Sequence, residues 1–369
     1  MNQDLYAPPS SPPGLLDRAL LALINDERDL PFARLILGFQ RELPGKFIVE
    51  ANYVTAWGYD LAVNRNLNYV PGSYLGDTPT TDTAANTFLT TTIPNPFRGL
   101  LPVGGSPFNT ASVITRAQSL LAFPQFTNVW VQQYNGENRY NSIQLQAQKR
   151  FSKSLSFTGT YTWTRLREQL NYLNPSDVVL EERISPDERP HRYTLAAVYQ
   201  LPFGRGRMLG ANWNRAVDAI LGGWQINGTY EWQKGEPFQL GNPLYYPGDV
   251  SKLESRVGQT DESGRKYGID ISAFDPGLVR LSSFGYRNVP TTLDNLRNQA
   301  YLNVNLSLTK NFTPAEGLRV QFRVEALNAF NHPYFGSGIN LDPNNAAFGF
   351  VTTQRNNPRD IQLGARFTF

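Results

Sequence analysis

The chain has 369 residues, a formal net charge of +3 and a sequence pI near 8.9. Its Lys and Arg residues are spread along the chain without a basic patch, so we expect no nucleic-acid partner. Cysteine is absent, which excludes disulfides and cysteine-bound metals, and no apolar run approaches the roughly 20 residues of a transmembrane helix. Only 40% of the residues are hydrophobic but 12% are aromatic, a balance typical of sheets with one apolar face.

The first 31 residues differ from the rest. They contain SSPPG and a short amphipathic stretch, LLDRALLALI, that predicts a short helix. A secretory signal is not predicted, because MNQDLYAPPSSPPG has neither a basic segment nor an apolar core. Taken alone, this favours a cytoplasmic protein, and the strand pattern that follows favours the opposite.

Nine stretches then carry an apolar residue at every second position, and this period predicts strands with one apolar and one polar face. In the clearest of them, Leu302 and Val304 alternate with Asn303 and Asn305. The predicted strands are 32–41, 46–57, 139–151, 154–164, 192–201, 223–233, 300–312, 317–330 and 359–369. Globular strands average roughly 5–6 residues, whereas strands that cross a bilayer need roughly 9–11, which these match.

The predicted connections alternate in length. The shorter ones are 42–45, 152–154, 313–316 and 202–222, the last with a predicted short helix. The longer ones are polar and comprise loops 58–138, 165–191, 234–299 and 331–358. Short turns at one end of a sheet and long loops at the other are typical of outer-membrane barrels.

Aromatic residues bracket the aliphatic residues at both ends of the predicted strands. We predict a girdle beside the long loops that consists of Trp57, Tyr161, Trp163, Tyr230 and Trp232. A second belt at the short turns includes Phe47, Phe151, Phe312 and Phe369. Two such belts are typical of two membrane interfaces, so we favour an antiparallel transmembrane β-barrel over a soluble β-sandwich.

The barrel hypothesis assigns a direction to each side chain. We expect outer-membrane lipid against Leu302, Val304, Leu306, Val320, Phe322, Val324, Leu363 and Phe367. We expect a watery interior at Asn303, Asn305, Gln321, Arg323 and Gln362. The most charged lumen-facing candidates are Arg319, Gln321, Arg323 and Glu325. They either pair with lumen charges and contact a plug, or attract an anionic solute; we favour the first because the alternation requires polar residues anyway.

Several stretches resemble one family. They are YNSIQLQAQKRFSKSLSFTGTYTWTR, DERPHRYTLAAVYQLPFGRGR, GGWQINGTYEWQKGEPF and FGFVTTQRNNPRDIQLGARFTF. From about residue 31 to 369 the chain resembles the barrel of Oar-like TonB-dependent receptors. The last residues, QLGARFTF, are similar to the terminal signal that the barrel-assembly machinery binds, with Gln362, Gly364, Phe367 and Phe369 at the matching positions.

The resemblance implies an outer-membrane receptor that imports a bulky solute: an oligosaccharide, a peptide or a metal chelate. Such receptors have a plugged 22-stranded barrel. Because only nine strands are predicted, we interpret 32–369 as the C-terminal portion of a larger barrel and 1–31 as the remnant of an extracellular loop. Contact with the TonB complex is then expected only through a plug that this chain lacks. A surface protein whose loops bind a partner in adhesion, without transport, stays open as the alternative.

Nothing in the sequence predicts an enzyme, a metal site or a cofactor. The two histidines, His191 and His332, lie far apart and lack clustered ligands. We expect each to end a strand and to bond loop carbonyls. PFGRGR lacks the Lys-Ser/Thr of a phosphate loop and is predicted to be a turn on the periplasmic side.

Overall fold

The computed structural model describes residues 32–75, 83–100, 107–240, 284–315, 317–336, 339–340, 345–351 and 353–369, with short pieces between 253 and 268. The expected loop remnant and helix in 1–31 lie outside these residues. In the described part of the chain, no helix has both the length and the apolar composition needed to span a membrane.

Strands dominate the described residues. In chain order they are β1 (Phe32–Leu43), β2 (Phe47–Asn66), β3 (Thr92–Pro94), β4 (Val113–Thr115), β5 (Trp130–Ser152), β6 (Leu155–Gln169), β7 (Arg183–Ile184), β8 (His191–Gln200), β9 (Trp224–Gln233), β10 (Pro237–Gln239), β11 (Lys266–Tyr267), β12 (Thr292–Arg297), β13 (Tyr301–Ala315), β14 (Leu318–Leu327), β15 (Phe350–Val351) and β16 (Asp360–Thr368). The helices are α1 (Thr83–Thr90), α2 (Pro107–Thr110), α3 (Arg116–Ser119) and α4 (Arg215–Leu221), with a 3-10 turn at Gly72–Tyr74.

Nine long strands form one antiparallel sheet in the order β1-β2-β5-β6-β8-β9-β13-β14-β16, and β7 adds to the end of β6. The prediction of about nine long antiparallel strands is confirmed. Each long strand pairs with the next one along the chain, as in an up-and-down barrel. Among the described strands, no pairing joins β1 to β16, so this sheet is open.

The register keeps each face uniform across the sheet. One row of paired residues runs from Ala51 through Leu145, Tyr161 and Tyr193 to Trp232. The neighbouring row on the opposite face runs from Gln40 through Glu50, Gln146, Thr160, Thr194 and Glu231 to Asn303. We call these the apolar face and the polar face. A shift of one residue in any pairing would mix them, so the alternating pattern fixes the register.

Two hairpins are longer than the sequence predicts. β2 continues past Trp57 to Asn66, and β5 begins at Trp130, so the long connection between them spans 67–129 and not 58–138. Bulges near Leu61, with Asp60 at a φ of 54°, break the alternation there and hide the strand from a period-two search. β6 likewise reaches Gln169, whereas β14 ends at Leu327, before the predicted 330.

The short turns use residues that tolerate positive φ. β1 and β2 are joined through Gly45 and Lys46, with φ of 86° and 66°. The connection 202–222 contains the predicted helix, α4, which begins after Asn214, whose side-chain oxygen accepts from the Val217 amide at 2.8 Å. These connections close the short-turn end of the sheet; the opposite end is the long-loop end.

Candidate functional site

The predicted lumen residues lie on the polar face along β14. Arg319 pairs with Thr368, and Gln321 donates to the Asn311 side-chain oxygen at 2.9 Å. Arg323 forms a 3.3 Å ion pair with Glu325, two residues along the same strand. Both side chains of this pair are partly open to solvent, so it leaves charge available on the polar face.

The middle of the polar face carries hydroxyl and amide groups. The Thr160 and Thr194 hydroxyls are 2.6 Å apart across β6 and β8, and Asn305 donates to the Thr229 hydroxyl at 3.3 Å. A depression of about 430 Å³ beside Thr229 and Asn305 extends to Thr158 on one side and to Glu325 on the other. Such a surface can form hydrogen bonds with water or with a polar solute.

The predicted girdle residues all lie on the apolar face. Trp57 pairs with Arg139, and Tyr230 pairs with both Leu195 and Val304. The register brings Tyr161 and Trp232 together through a residue that the sequence analysis missed, Tyr193. Its ring centroid is 4.6 Å from that of Tyr161 and 5.5 Å from that of Trp232. Their alternation with Thr194 was visible in the sequence.

His191 begins β8 and does not bond a loop carbonyl through its ring. Its Nδ1 lies 2.9 Å from the Tyr161 hydroxyl, and Trp163 is its cross-strand partner. His191 therefore stands at a strand end as expected, but the expected bond to a loop carbonyl is wrong, because the register places the imidazole beside a tyrosine of the neighbouring strand. At His332 the backbone bonds the Asn328 and Asn356 side chains. Within the described residues, no group of three or more His, Asp or Glu could hold a metal ion.

Two lysines interrupt the apolar face at the short-turn end. Lys149 donates to the Ser152 carbonyl at 2.9 Å and lies over the Phe47 ring. Lys310 donates to the Gly222 carbonyl at the end of α4 and lies over the Trp224 ring. Both side chains reach polar partners at the strand end, as lysines at a membrane interface do. In the sequence, these two lysines stand at positions where the alternating pattern predicts apolar residues, so the pattern alone does not predict this arrangement.

Loops at the long-loop end pack into a small folded unit, which we call the loop assembly (residues 170–190, 234–240 and 284–299). β7 pairs with β6, and β10 pairs with β12. The buried apolar side chains of these segments are Ile184, Phe238, Leu240, Val289, Leu293 and Leu296. Burial of these side chains stabilises the assembly by roughly 1.5–3 kcal/mol for each large one.

Buried polar groups join the segments of the loop assembly. Arg297 forms a 2.5 Å ion pair with Glu188, and Glu188 also accepts from the Leu166 backbone amide of β6. Glu181 accepts from the Thr291 amide and hydroxyl at 2.6 and 2.8 Å. Arg287 donates to the Leu240 carbonyl at 2.5 Å. These bonds attach 284–299 to β6 and to 170–190.

Two ionisable groups in the loop assembly have shifted pKa values. A hydrogen bond to Asp177, followed by burial, raises the pKa of the Tyr286 hydroxyl above its ordinary value. Burial alone would raise the pKa of Asp294, but the hydrogen bond and charge of Arg297, 2.6 Å away, outweigh it and lower this pKa. Asp294 is therefore ionised at neutral pH as a second partner of Arg297.

A groove of about 740 Å³ separates the loop assembly from the apolar face. His191, Trp232 and Leu302 line its lower side, and Lys234 and Asp294 its upper side. The groove therefore combines aromatic, apolar and charged side chains.

The proposed assembly-signal residues lie on β16 and just past it. Gln362 and Gly364 lie on the polar face, opposite Glu325 and Arg323. Phe367 lies on the apolar face opposite Val320, and Phe369 is almost fully exposed.

A long antiparallel sheet with one mainly apolar face, one polar face and large loops at one end defines the outer-membrane β-barrel class. The family model described as outer membrane beta barrel domain matches residues 18–362. The chain belongs to this family and is located in the outer membrane.

Solved structures of outer-membrane transporters are similar to the chain. The ferripyoverdine receptor of Pseudomonas aeruginosa has 12% identity over 92% of this chain and 27% of its own, with a TM-score of 0.40. BauA, the ferric preacinetobactin receptor of Acinetobacter baumannii, has 11% identity over 92% and 29%, with a TM-score of 0.39. The transporter YddB from Escherichia coli has 10% identity over 91% of this chain and 32% of its own, with a TM-score of 0.39. The chain spans about a third or less of the length of these proteins, and no curated protein sequence matches it.

Proposed function

We propose that the chain forms the C-terminal portion of the barrel of an Oar-like TonB-dependent receptor that imports a bulky solute. The observation that carries the proposal is the sheet itself. Two edge strands, β1 and β16, are left without a second partner among the described strands. Unpaired strand edges are not stable in lipid, so the sheet requires further strands to close.

The two faces have separate roles in this proposal. The apolar face contacts lipid, and the polar face lines a lumen whose Thr, Asn and Gln side chains replace solute-bound water. The pair Arg323 and Glu325 keeps this surface hydrated. The loop assembly supplies a rigid external surface for capture of the solute, since buried ion pairs and an apolar core hold its loops together.

The remaining partners follow from the same proposal. The barrel-assembly machinery binds the terminal signal Gln362, Gly364, Phe367 and Phe369. The TonB complex acts through a plug and not through this sheet. We propose an oligosaccharide, a peptide or a metal chelate as the solute, and no enzymatic step.

Uptake measurements test the proposal. Cells that produce the complete natural protein, with and without TonB, are offered labelled oligosaccharides, peptides and metal chelates. We expect one class to accumulate only when TonB is present. Binding at the cell surface without accumulation, equal in both strains, would contradict import and support adhesion.

A further inference from the structure

Three arginines form a cluster on the apolar face at the long-loop end. Arg139 on β5 is the direct cross-strand partner of Arg167 on β6. Arg165 lies two residues before Arg167 and therefore points to the same face. We call these three residues the arginine cluster. Trp57 completes the row on the β2 side of Arg139.

The arginine cluster has few direct ion pairs. In the described part of the chain, neither Arg139 nor Arg165 has an ion-pair partner. Arg167 has a 3.9 Å contact with the exposed Glu182, and its charge also acts on the carboxylate of Asp294. Like charges directly opposite each other on antiparallel strands are destabilising. Glu137 and Glu168 line the same groove of about 460 Å³; no ion pair joins Glu137 to Arg139 among the described residues, and Glu168 is bound by Arg183 at 2.8 Å. A bound anion would offset this repulsion.

The height of the arginine cluster matches a membrane surface. On the same face of β5, Arg139 and Lys149 are ten residues apart, and Lys149 lies at the short-turn end. At about 3.3 Å per residue and a tilt of about 40°, this separation is roughly 25 Å along the barrel axis, the height of an outer-membrane apolar band. The girdle residue Trp163 lies directly below Arg165 on β6. The cluster thus lies where lipid headgroups begin.

We propose that the arginine cluster binds the phosphate group of a phosphorylated lipid in the outer leaflet of the membrane. The guanidinium groups of Arg139, Arg165 and Arg167 donate to the phosphate oxygens, since Arg forms bidentate bonds with phosphate. Trp57 and Trp163 contact the glycerol or sugar region above the acyl chains. The site lies on the outside of the sheet, away from the polar face, so it is separate from any solute path.

The experiment measures lipid binding to the complete natural protein in neutral detergent by native mass spectrometry. The two probes are diphosphorylated lipid A and the same lipid without phosphates. We expect the diphosphorylated probe to bind at least tenfold tighter. The triple variant Arg139→Gln, Arg165→Gln, Arg167→Gln should lose this preference. A control triple variant at the short-turn end, Arg150→Gln, Arg205→Gln, Arg215→Gln, removes the same charge and should keep it.

Heat-modifiable migration in gels shows which variants are folded. If the triple variant does not fold, the single variant Arg139→Gln replaces it in the binding measurement. Arg139→Gln relieves the repulsion with Arg167, so without lipid its unfolding temperature should be no lower than that of wild type. The diphosphorylated probe should raise its unfolding temperature less than it raises that of wild type. The proposal is overturned if the preference survives in a folded cluster variant or is lost equally in the control. It is also overturned if inorganic pyrophosphate binds as tightly as the lipid, because the site would then hold a soluble anion.

Discussion

Arg297 and Glu188 are 109 residues apart in sequence and form a 2.5 Å ion pair in which each side chain is only 5% exposed. This pair connects the strand β12 to the segment that leads into β8. Because both charges are withdrawn from water, each depends on the other, and the loop assembly depends on both. The connections 170–190 and 284–299 are therefore joined in one folded unit.

Glu188→Gln should open the loop assembly. Breaking a buried pair costs about 3–5 kcal/mol, and we expect about 3 kcal/mol here because Asp294 still contacts Arg297. Hydrogen exchange of the backbone amides in 170–190 and 284–299 measures the change.

The matched control is Arg192→Ala, which removes an ion pair of similar length, 2.6 Å, whose side chains are 53% and 35% exposed. An exposed pair is worth less than about 1 kcal/mol, so exchange should hardly change. If the amides of 170–190 and 284–299 were equally protected against hydrogen exchange in Glu188→Gln and Arg192→Ala, the Arg297–Glu188 pair would not stabilise the loop assembly.

Acid should loosen the same assembly. The pKa of Asp294 is lowered in the folded protein, so its ionised form adds stability above the unfolded value of about 3.9, and this stability is lost as the pH falls through the folded pKa. The protection of the backbone amides in 284–299 against hydrogen exchange, corrected for the intrinsic exchange rate at each pH, should fall more between pH 6 and pH 3 in wild type than in Asp294→Asn. The same acid dependence in both proteins would contradict a role for Asp294.

The sheet was predictable from sequence because its information is local. The alternation of apolar and polar residues, as in Leu302, Asn303 and Val304, predicts the face on which each residue lies. Nine stretches with this alternation predict nine strands. The extension of β2 was missed because the Leu61 bulges break this period. The extension of β6 was missed because Arg165 and Arg167 occupy positions where the pattern predicts apolar residues, and Lys149 and Lys310 were overlooked for the same reason.

The loop assembly could not be predicted in this way. Its key contacts join residues such as Glu181 and Thr291, 110 positions apart, and neither segment has a periodic pattern. A single charged residue in a loop looks the same in sequence whether it is solvated or buried in an ion pair. The arginine cluster likewise depends on the register of β5 and β6.

Phe369→Ala should reduce membrane insertion far more than Phe330→Ala if the terminal signal is used in assembly. Phe369 is 96% exposed and Phe330 is 70% exposed, so neither substitution removes much packing. Any difference then reports recognition by the assembly machinery. The measurement is the heat-modifiable, membrane-inserted fraction of the complete natural protein, and equal fractions would contradict a terminal signal.

The direction of the faces makes the sharpest test of the barrel. Leu306→Arg places a charge on the apolar face between Val304, which pairs with the girdle residue Tyr230, and Lys310 at the short-turn end. Arg near the bilayer midplane costs about 2–4 kcal/mol, so stable insertion should fail. Asn305→Arg on the polar face should insert, but Asn305 accepts a hydrogen bond from the Asn328 amide at 2.9 Å, whose loss costs about 1 kcal/mol. Asn303→Arg is the cleaner control, because Asn303 pairs with Glu231 and gains an opposite charge there.

Cysteine labelling measures the same directions without adding charge, since the chain has no native cysteine. Asn305→Cys and Gln321→Cys should react with a water-soluble maleimide, because the polar face meets water. Val304→Cys and Phe322→Cys should react with a lipid-soluble reagent, because the apolar face meets acyl chains. The reverse pattern, or a soluble monomer in which these four positions are dry, would contradict the assignment of lipid to the apolar face.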